Sequence, residues 1–264
     1  MYLNNNPIGV FDSGLGGLTV VKELIRLLPR EHIVYYGDTA RVPYGTKSRE
    51  AIIRFSHENM RVLLKRNVKM VVVACNTSSS YALGILRKHF HLPIVGVIDP
   101  GARKAAEVTR NKKIGVIATP ATVNSRSYAR AIARRDRAIK ISSQACPLFV
   151  PLVEEGWLRK PVTTAVAREY LGPLRRSGID TLVLGCTHYP LLKSVLKDVM
   201  GAKVALVDSA HEVAAEVKRV LHERRLLRTS GGRARRAFLI SDRPQQFEKT
   251  AREFLGYNIK AVKI

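Results

Sequence analysis

Acidic residues are scarce in this chain. Only 21 Asp and Glu stand against 45 Lys and Arg in 264 residues, a formal net charge of +24. The excess is clustered: Arg126, Arg130, Arg134, Arg135, Arg137 and Lys140 crowd one segment, and Lys218, Arg219, Arg224, Arg225, Arg228, Arg233, Arg235 and Arg236 another. Such clusters attract polyanions electrostatically. Aromatic residues make up only 6% of the chain, with a single Trp, and only Tyr128 falls within the basic runs. Without a set of stacking residues or a recognised nucleic-acid module, solvated helix faces are the favoured reading, and nucleic acid stays an alternative. Cysteine is rarer still. Three residues, Cys75, Cys146 and Cys186, with no CxxC or Cys/His ligand spacing, exclude a disulfide framework and give no reason to expect a metal or other cofactor. No apolar run approaches the ~18 residues of a membrane span. The opening Met1-Tyr2-Leu3-Asn4-Asn5-Asn6 lacks the charged start and apolar centre of a secretory signal, so the expected compartment is the cytoplasm, with no membrane partner.

What is present is ample core, 46% hydrophobic residues, in a length that suits roughly two domains at about 150 residues each. Two stretches resemble each other: Val71-Val72-Val73-Ala74-Cys75-Asn76-Thr77 and Leu182-Val183-Leu184-Gly185-Cys186-Thr187-His188. Each is an unbroken apolar run, as in a strand buried on both faces, ending in a small residue, a cysteine and a hydrogen-bonding pair. The carboxyl end of a parallel strand is where open α/β sheets bind ligands, because the next helix begins there with unpaired N–H groups. Either cysteine alone reads as a small buried hydrophobe; the repeated context favours chemistry. Cys146, before a proline and without a counterpart, keeps the bland reading.

Other echoes fall at a similar offset of roughly 110 residues: Ile8-Gly9-Val10 with Ile114-Gly115-Val116, Asp99 with Asp208, and Ala105-Ala106-Glu107-Val108 with Ala214-Ala215-Glu216-Val217. Together they predict a duplicated α/β unit, each copy a mainly parallel sheet flanked by helices, with the site in the cleft between the two. The expected domains are residues 1–98 plus 209–264, and 99–208, the tail packing back on the first half. Asp12-Ser13-Gly14-Leu15-Gly16-Gly17 reads as a tight turn into a helix beginning near Leu18, and it matches no nucleotide fingerprint. The segment from Asp38 to Gly45 reads as a polar loop outside the core, forming a pocket wall. Asp99 and Asp208 read as caps of the helices that follow them.

Two equivalent sheets facing one cleft would set Cys75 and Cys186 on opposite sides of a bound molecule. That arrangement suits inversion of a carbon stereocentre, where one group removes a proton from one face and a second returns one to the other. A thiol with an ordinary pKa of about 8.5 is easily poised for this.

The stretches Gly9-Val10-Phe11-Asp12-Ser13-Gly14-Leu15-Gly16-Gly17, Tyr36-Gly37-Asp38-Thr39 with Pro43-Tyr44-Gly45, Ala74-Cys75-Asn76-Thr77 and Leu184-Gly185-Cys186-Thr187-His188-Tyr189-Pro190 closely resemble the glutamate racemases. The resemblance implies cofactor-independent interconversion of L- and D-glutamate, supplying D-glutamate to peptidoglycan. It implies Cys75 and Cys186 as the proton donor/acceptors, and Asp12, Ser13, Tyr44, Gly45, Asn76, Thr77, Thr187 and His188 as substrate-binding residues. By the same pattern Thr119, Thr122 and Glu154 line the site, and Asp12 and His188 stand where they could tune the thiols. A related aspartate- or hydantoin-type racemase is the enzymatic alternative. The expected partner is a small-molecule substrate; a homodimer is left open.

Overall fold

The apolar runs become strands because their side chains can be buried on both faces of a sheet only if helices cover each side. In the computed structural model, which describes residues 3–264, ten strands form two parallel sheets. Met1 and Tyr2, read above as part of a start without a secretory signal, lie outside the described residues. The strands are β1 (Ile8–Asp12), β2 (Ile33–Gly37), β3 (Met70–Val73), β4 (Ile94–Gly96), β5 (Lys113–Ala118), β6 (Lys140–Ala145), β7 (Thr181–Gly185), β8 (Ala205–Asp208), β9 (Arg236–Ile240) and β10 (Ala261–Lys263). The first sheet has the order β10-β9-β2-β1-β3-β4, the second β6-β5-β7-β8. The sequence echo is therefore structural: β2-β1-β3-β4 and β6-β5-β7-β8 are the same arrangement, with every neighbour parallel.

The tail returns to the first sheet, where β9 pairs with β2 in the register Tyr35↔Phe238. The edge strand β10 beyond it was not anticipated. Its three residues, one half-buried and two exposed, lack the apolar run that marks a central strand. Helix Leu18–Leu27 buries Leu18, Val20, Val21 and Leu24, and packs against helix Ala210–Glu223. Ser48 caps helix Arg49–Leu64, its hydroxyl accepting from the Ala51 N–H at 3.2 Å. No helix among the described residues is long and apolar enough to cross a membrane.

Two expectations need correction. Asp38 is not outside the core but fully buried. Its carboxylate accepts from Arg41 Nε at 2.6 Å, from Ser241 Oγ at 3.0 Å and from the Tyr44 hydroxyl, so the polar loop carries its own hydrogen-bond partners inward. Asp99 does not cap its helix, because helix Ile98–Val108 has already begun at Ile98 and the cap position is Val97; its carboxylate meets Arg134 instead. Asp208 does serve the next helix, its Oδ1 accepting from the Ala210 N–H at 3.0 Å.

The tail is tied down by a buried ion pair. Lys69 Nζ lies 2.5 Å from Glu31 Oε2 and also donates to the carbonyls of Asn4 and Leu226. The other Glu31 oxygen accepts from the Arg228 N–H at 2.8 Å. Each charge is buried, so each depends on the other; burial alone pulls the Lys69 pKa down, and Glu31 opposes it. Removing one partner strands the other. Lys69→Met is expected to cost about 3–5 kcal/mol in urea unfolding, and Glu31→Gln combined with Lys69→Met distinctly less than Lys69→Met alone.

Candidate active site

Each cysteine sits just past the end of a strand flanked by neighbours in the same order, Cys75 after β3 and Cys186 after β7. Cys75 is the cap residue of helix Asn76–Tyr81, its sulfur accepting from the Ser78 N–H at 3.5 Å. Cys186 leads into the short helical turn Tyr189–Leu192. The sheets that carry them differ, yet both sulfur-bearing residues line one cavity. Ser13, Tyr44, Gly45, Asn76, Thr77, Thr187 and His188 line it too, together with Thr119. Asp12 stands behind this wall, fully buried, and accepts from the Gly14 N–H at 3.0 Å and the Thr187 hydroxyl at 3.4 Å.

The remaining candidates form a second layer. Thr122 joins Thr77 and Thr119 in a hydroxyl triangle with edges of 3.0, 3.1 and 3.3 Å, joining the segment after β3 to the segment after β5. Glu154 Oε1 lies 3.1 Å from His188 Nε2, while His188 Nδ1 lies 3.9 Å from the Cys186 sulfur. Three lining residues were missed by sequence reading. Val42 and Pro43 belong to the loop already suspected as a pocket wall, and Val150, on helix Phe149–Glu154, carries no signal that separates it from core. Tyr128 was missed as well; its hydroxyl donates to Asn76 Oδ1 at 2.8 Å and so orients that amide.

The amide thereby exposes its donor. Asn76 Nδ2 is buried and has no hydrogen-bond partner among the described residues. A buried donor left unpaired costs about 1–3 kcal/mol, so it marks a place where an acceptor belongs.

The two sulfurs have unlike surroundings. Burial pushes the Cys75 thiol up to about 11, and the Asp12 carboxylate adds to the shift. Asp12 is itself raised, first by burial, against the opposing pull of His188 and the N–H groups of Gly14 and Gly17. For His188, burial works against the charged ring, but hydrogen bonds and charge attraction from Cys186 and Glu154 overcome it and lift the pKa to about 10. A cation therefore stands beside Cys186 at neutral pH. Cys146 is buried and pushed upward by desolvation; its carbonyl accepts from Tyr189, and nothing gives it a part in the cavity.

The cavity is small, about 20 Å³, room for about one water molecule. Val42 also lines an outer cleft of about 330 Å³, together with Gly14, Glu154, Arg243 and Phe247. An amino acid reaches the thiols only if the walls part.

The family model described as Asp/Glu/Hydantoin racemase matches residues 8–217. A glutamate racemase of Geobacter metallireducens is 51% identical over 249 residues, covering 94% of this chain and 92% of that one. Among solved structures, a glutamate racemase isoform of Bacillus anthracis superposes with a TM-score of 0.95 at 40% identity, covering 99% of this chain and 98% of that one. A glutamate racemase of Francisella tularensis, solved in complex with D-glutamate, superposes with a TM-score of 0.93 at 38% identity, covering 99% and 98%. The chain belongs to the Asp/Glu/Hydantoin racemase family, among the glutamate racemases, and is an isomerase of the amino-acid racemase class.

Proposed function

We propose that this chain interconverts L- and D-glutamate by moving protons between the substrate α-carbon and two thiols, with no cofactor taking part. The observation that carries the reading is that Cys75 and Cys186, from separate sheets, line a single cavity. In one direction the α C–H bond breaks as the Cys186 sulfur takes the proton, with the His188 imidazolium as counter-charge for the thiolate. The electron pair stays on the α-carbon, which flattens. The S–H bond of Cys75 then breaks as that proton joins the opposite face. The reverse direction starts from the state so formed and uses the same groups with exchanged roles; a second turnover in the same direction requires the two sulfurs to reset by proton exchange with solvent. The unpaired Asn76 donor, the hydroxyls of Ser13, Thr77 and Thr187 and the N–H groups at the start of helix Asn76–Tyr81 supply contacts for the two carboxylates. The complex of the Francisella relative with D-glutamate supports this choice of substrate. A cytoplasmic role supplying D-glutamate for peptidoglycan follows from the same reading.

Cys75→Ser and Cys186→Ser are each expected to lower racemisation by at least ~10²-fold while leaving the fold intact. In D₂O each variant should still exchange the α-proton of one enantiomer, since half of the apparatus survives. Full racemisation by either variant refutes the assignment. Pure D-glutamate in D₂O, without pyridoxal phosphate or metal, should lose optical rotation as deuterium enters the α position.

The buried His188 cation gives a second check. Its folded pKa of about 10 lies above the unfolded value of about 6.5, so its pairing contributes stability that is complete below pH 6.5 and disappears as pH rises through 10. The difference in melting temperature between the wild type and His188→Asn should therefore shrink steadily from pH 6.5 to pH 10. A difference that stays constant or widens removes the cation from the site.

A further inference from the structure

Two glycines packed against residues of the cavity wall are left unexplained by turn geometry. Gly16 and Gly45 are buried, and neither has the positive φ that demands glycine. What they lack is room. A Cβ on Gly16 would stand 2.1 Å from Thr187 Oγ1 and 2.6 Å from His188 Nδ1. A Cβ on Gly45 would stand 2.5 Å from Thr119 Cβ. In both places the glycine follows a strand of the first sheet, and the residue it meets follows a strand of the second. The first contact lies beside Cys186 and the second beside the hydroxyl triangle that reaches Thr77, two residues from Cys75.

Side-chain adjustment cannot absorb these clashes. Thr187 Oγ1 is one bond from the backbone-anchored Cβ, and His188 is held between Cys186 and Glu154. Thr119 is met at its Cβ, which moves only with its backbone. A methyl group at either position would hold the two walls apart.

We infer that Gly16 and Gly45 are the closure seats of the cleft: bare backbone on one wall against which Thr187, His188 and Thr119 of the other wall come to rest, setting the distance between the two cysteines. They are positioning residues, acting through the walls that carry the thiols. The inference rests on the two-thiol reading and adds to it a stop that fixes how far the walls approach.

The test is Gly16→Ala, with Gly45→Ala as the second variant and Gly84→Ala as control; Gly84 is exposed in helix Leu83–His89, and a Cβ there meets nothing within 4 Å. Alkylation by iodoacetamide, followed by peptide mass spectrometry, reports each cysteine separately. In Gly16→Ala, labelling of Cys75 and Cys186 should rise about tenfold or more as the population shifts toward the open cleft, with Cys146 unchanged. Racemisation kcat should fall about 10²-fold, the effect of misplacing a reacting group by about 1 Å, with a smaller change in KM. One-sided α-proton exchange in D₂O should survive. Gly84→Ala should match the wild type throughout.

Wild-type labelling and kcat in both glycine variants overturn the inference, and so does a parallel rise at Cys146, which reports general loosening. If Gly16→Ala does not fold, Gly45→Ala decides by the same measurements; collapse of both also counts against it, since a stop between the walls is not needed to fold either sheet. These outcomes leave the two-thiol reading standing. That reading fails separately, if Cys75→Ser or Cys186→Ser still racemises fully.

Discussion

A proton leaving one face of a carbon and another arriving at the opposite face require two groups within hydrogen-bond reach of a single atom, from opposite sides. The proposed reaction places that constraint on the fold. One sheet cannot present two strand ends to opposite faces of a ligand, because all its parallel strands finish at the same edge. Two sheets can, if their carboxyl edges confront one another. The matching orders β2-β1-β3-β4 and β6-β5-β7-β8 supply that pair of edges, and Cys75 and Cys186 occupy matching places, each just past the strand third in its order. The seam between them is built from small and hydroxylated residues: Gly16, Gly45, Thr77, Thr119, Thr122 and Thr187. Larger apolar side chains there would keep the sulfurs apart.

The parallel architecture was legible because buried parallel strands leave a blunt trace. Val71-Val72-Val73 and Leu182-Val183-Leu184 are apolar on both faces, and the punctuation after each is polar and short. The duplication was legible because the order of its echoes matched, and the shared strand order is its physical basis. Asp38 was misread for the opposite reason. A carboxylate is counted as solvent-loving until its partners are known, and while Arg41 and Tyr44 come from the same loop, Ser241 lies more than two hundred residues away. Val150 and Tyr128 could not be found at all, since an apolar residue lining a cavity and one filling a core have the same local pattern. β10 was invisible because an edge strand needs no apolar run.

The charge excess also finds its place. Arg134 and Arg135 from one cluster and Arg219 and Arg224 from the other line a single cleft of about 780 Å³, remote in sequence but brought together by helix Ala210–Glu223. Acidic side chains share that cleft: Asp99 meets Arg134 at 2.8 Å, and Glu216 and Glu223 each meet Arg219 at 2.5 Å. Exposed pairs of this kind contribute little to stability. They do reduce the local positive field, which favours a hydrated, self-paired face over a groove prepared for a polyanion.

The two halves are alike in backbone and unlike in charge, and the unlikeness bears directly on the proposed chemistry. The proposed transfer needs one sulfur protonated and the other not at the moment of reaction. Burial and Asp12 hold the Cys75 proton in place up to about pH 11, so at neutral pH that sulfur is an acid. The His188 cation, sustained by Glu154, provides the opposite field at Cys186. Duplication supplies the pair of strand ends, and the residues behind them have diverged, a buried carboxyl near Cys75 and an imidazolium beside Cys186.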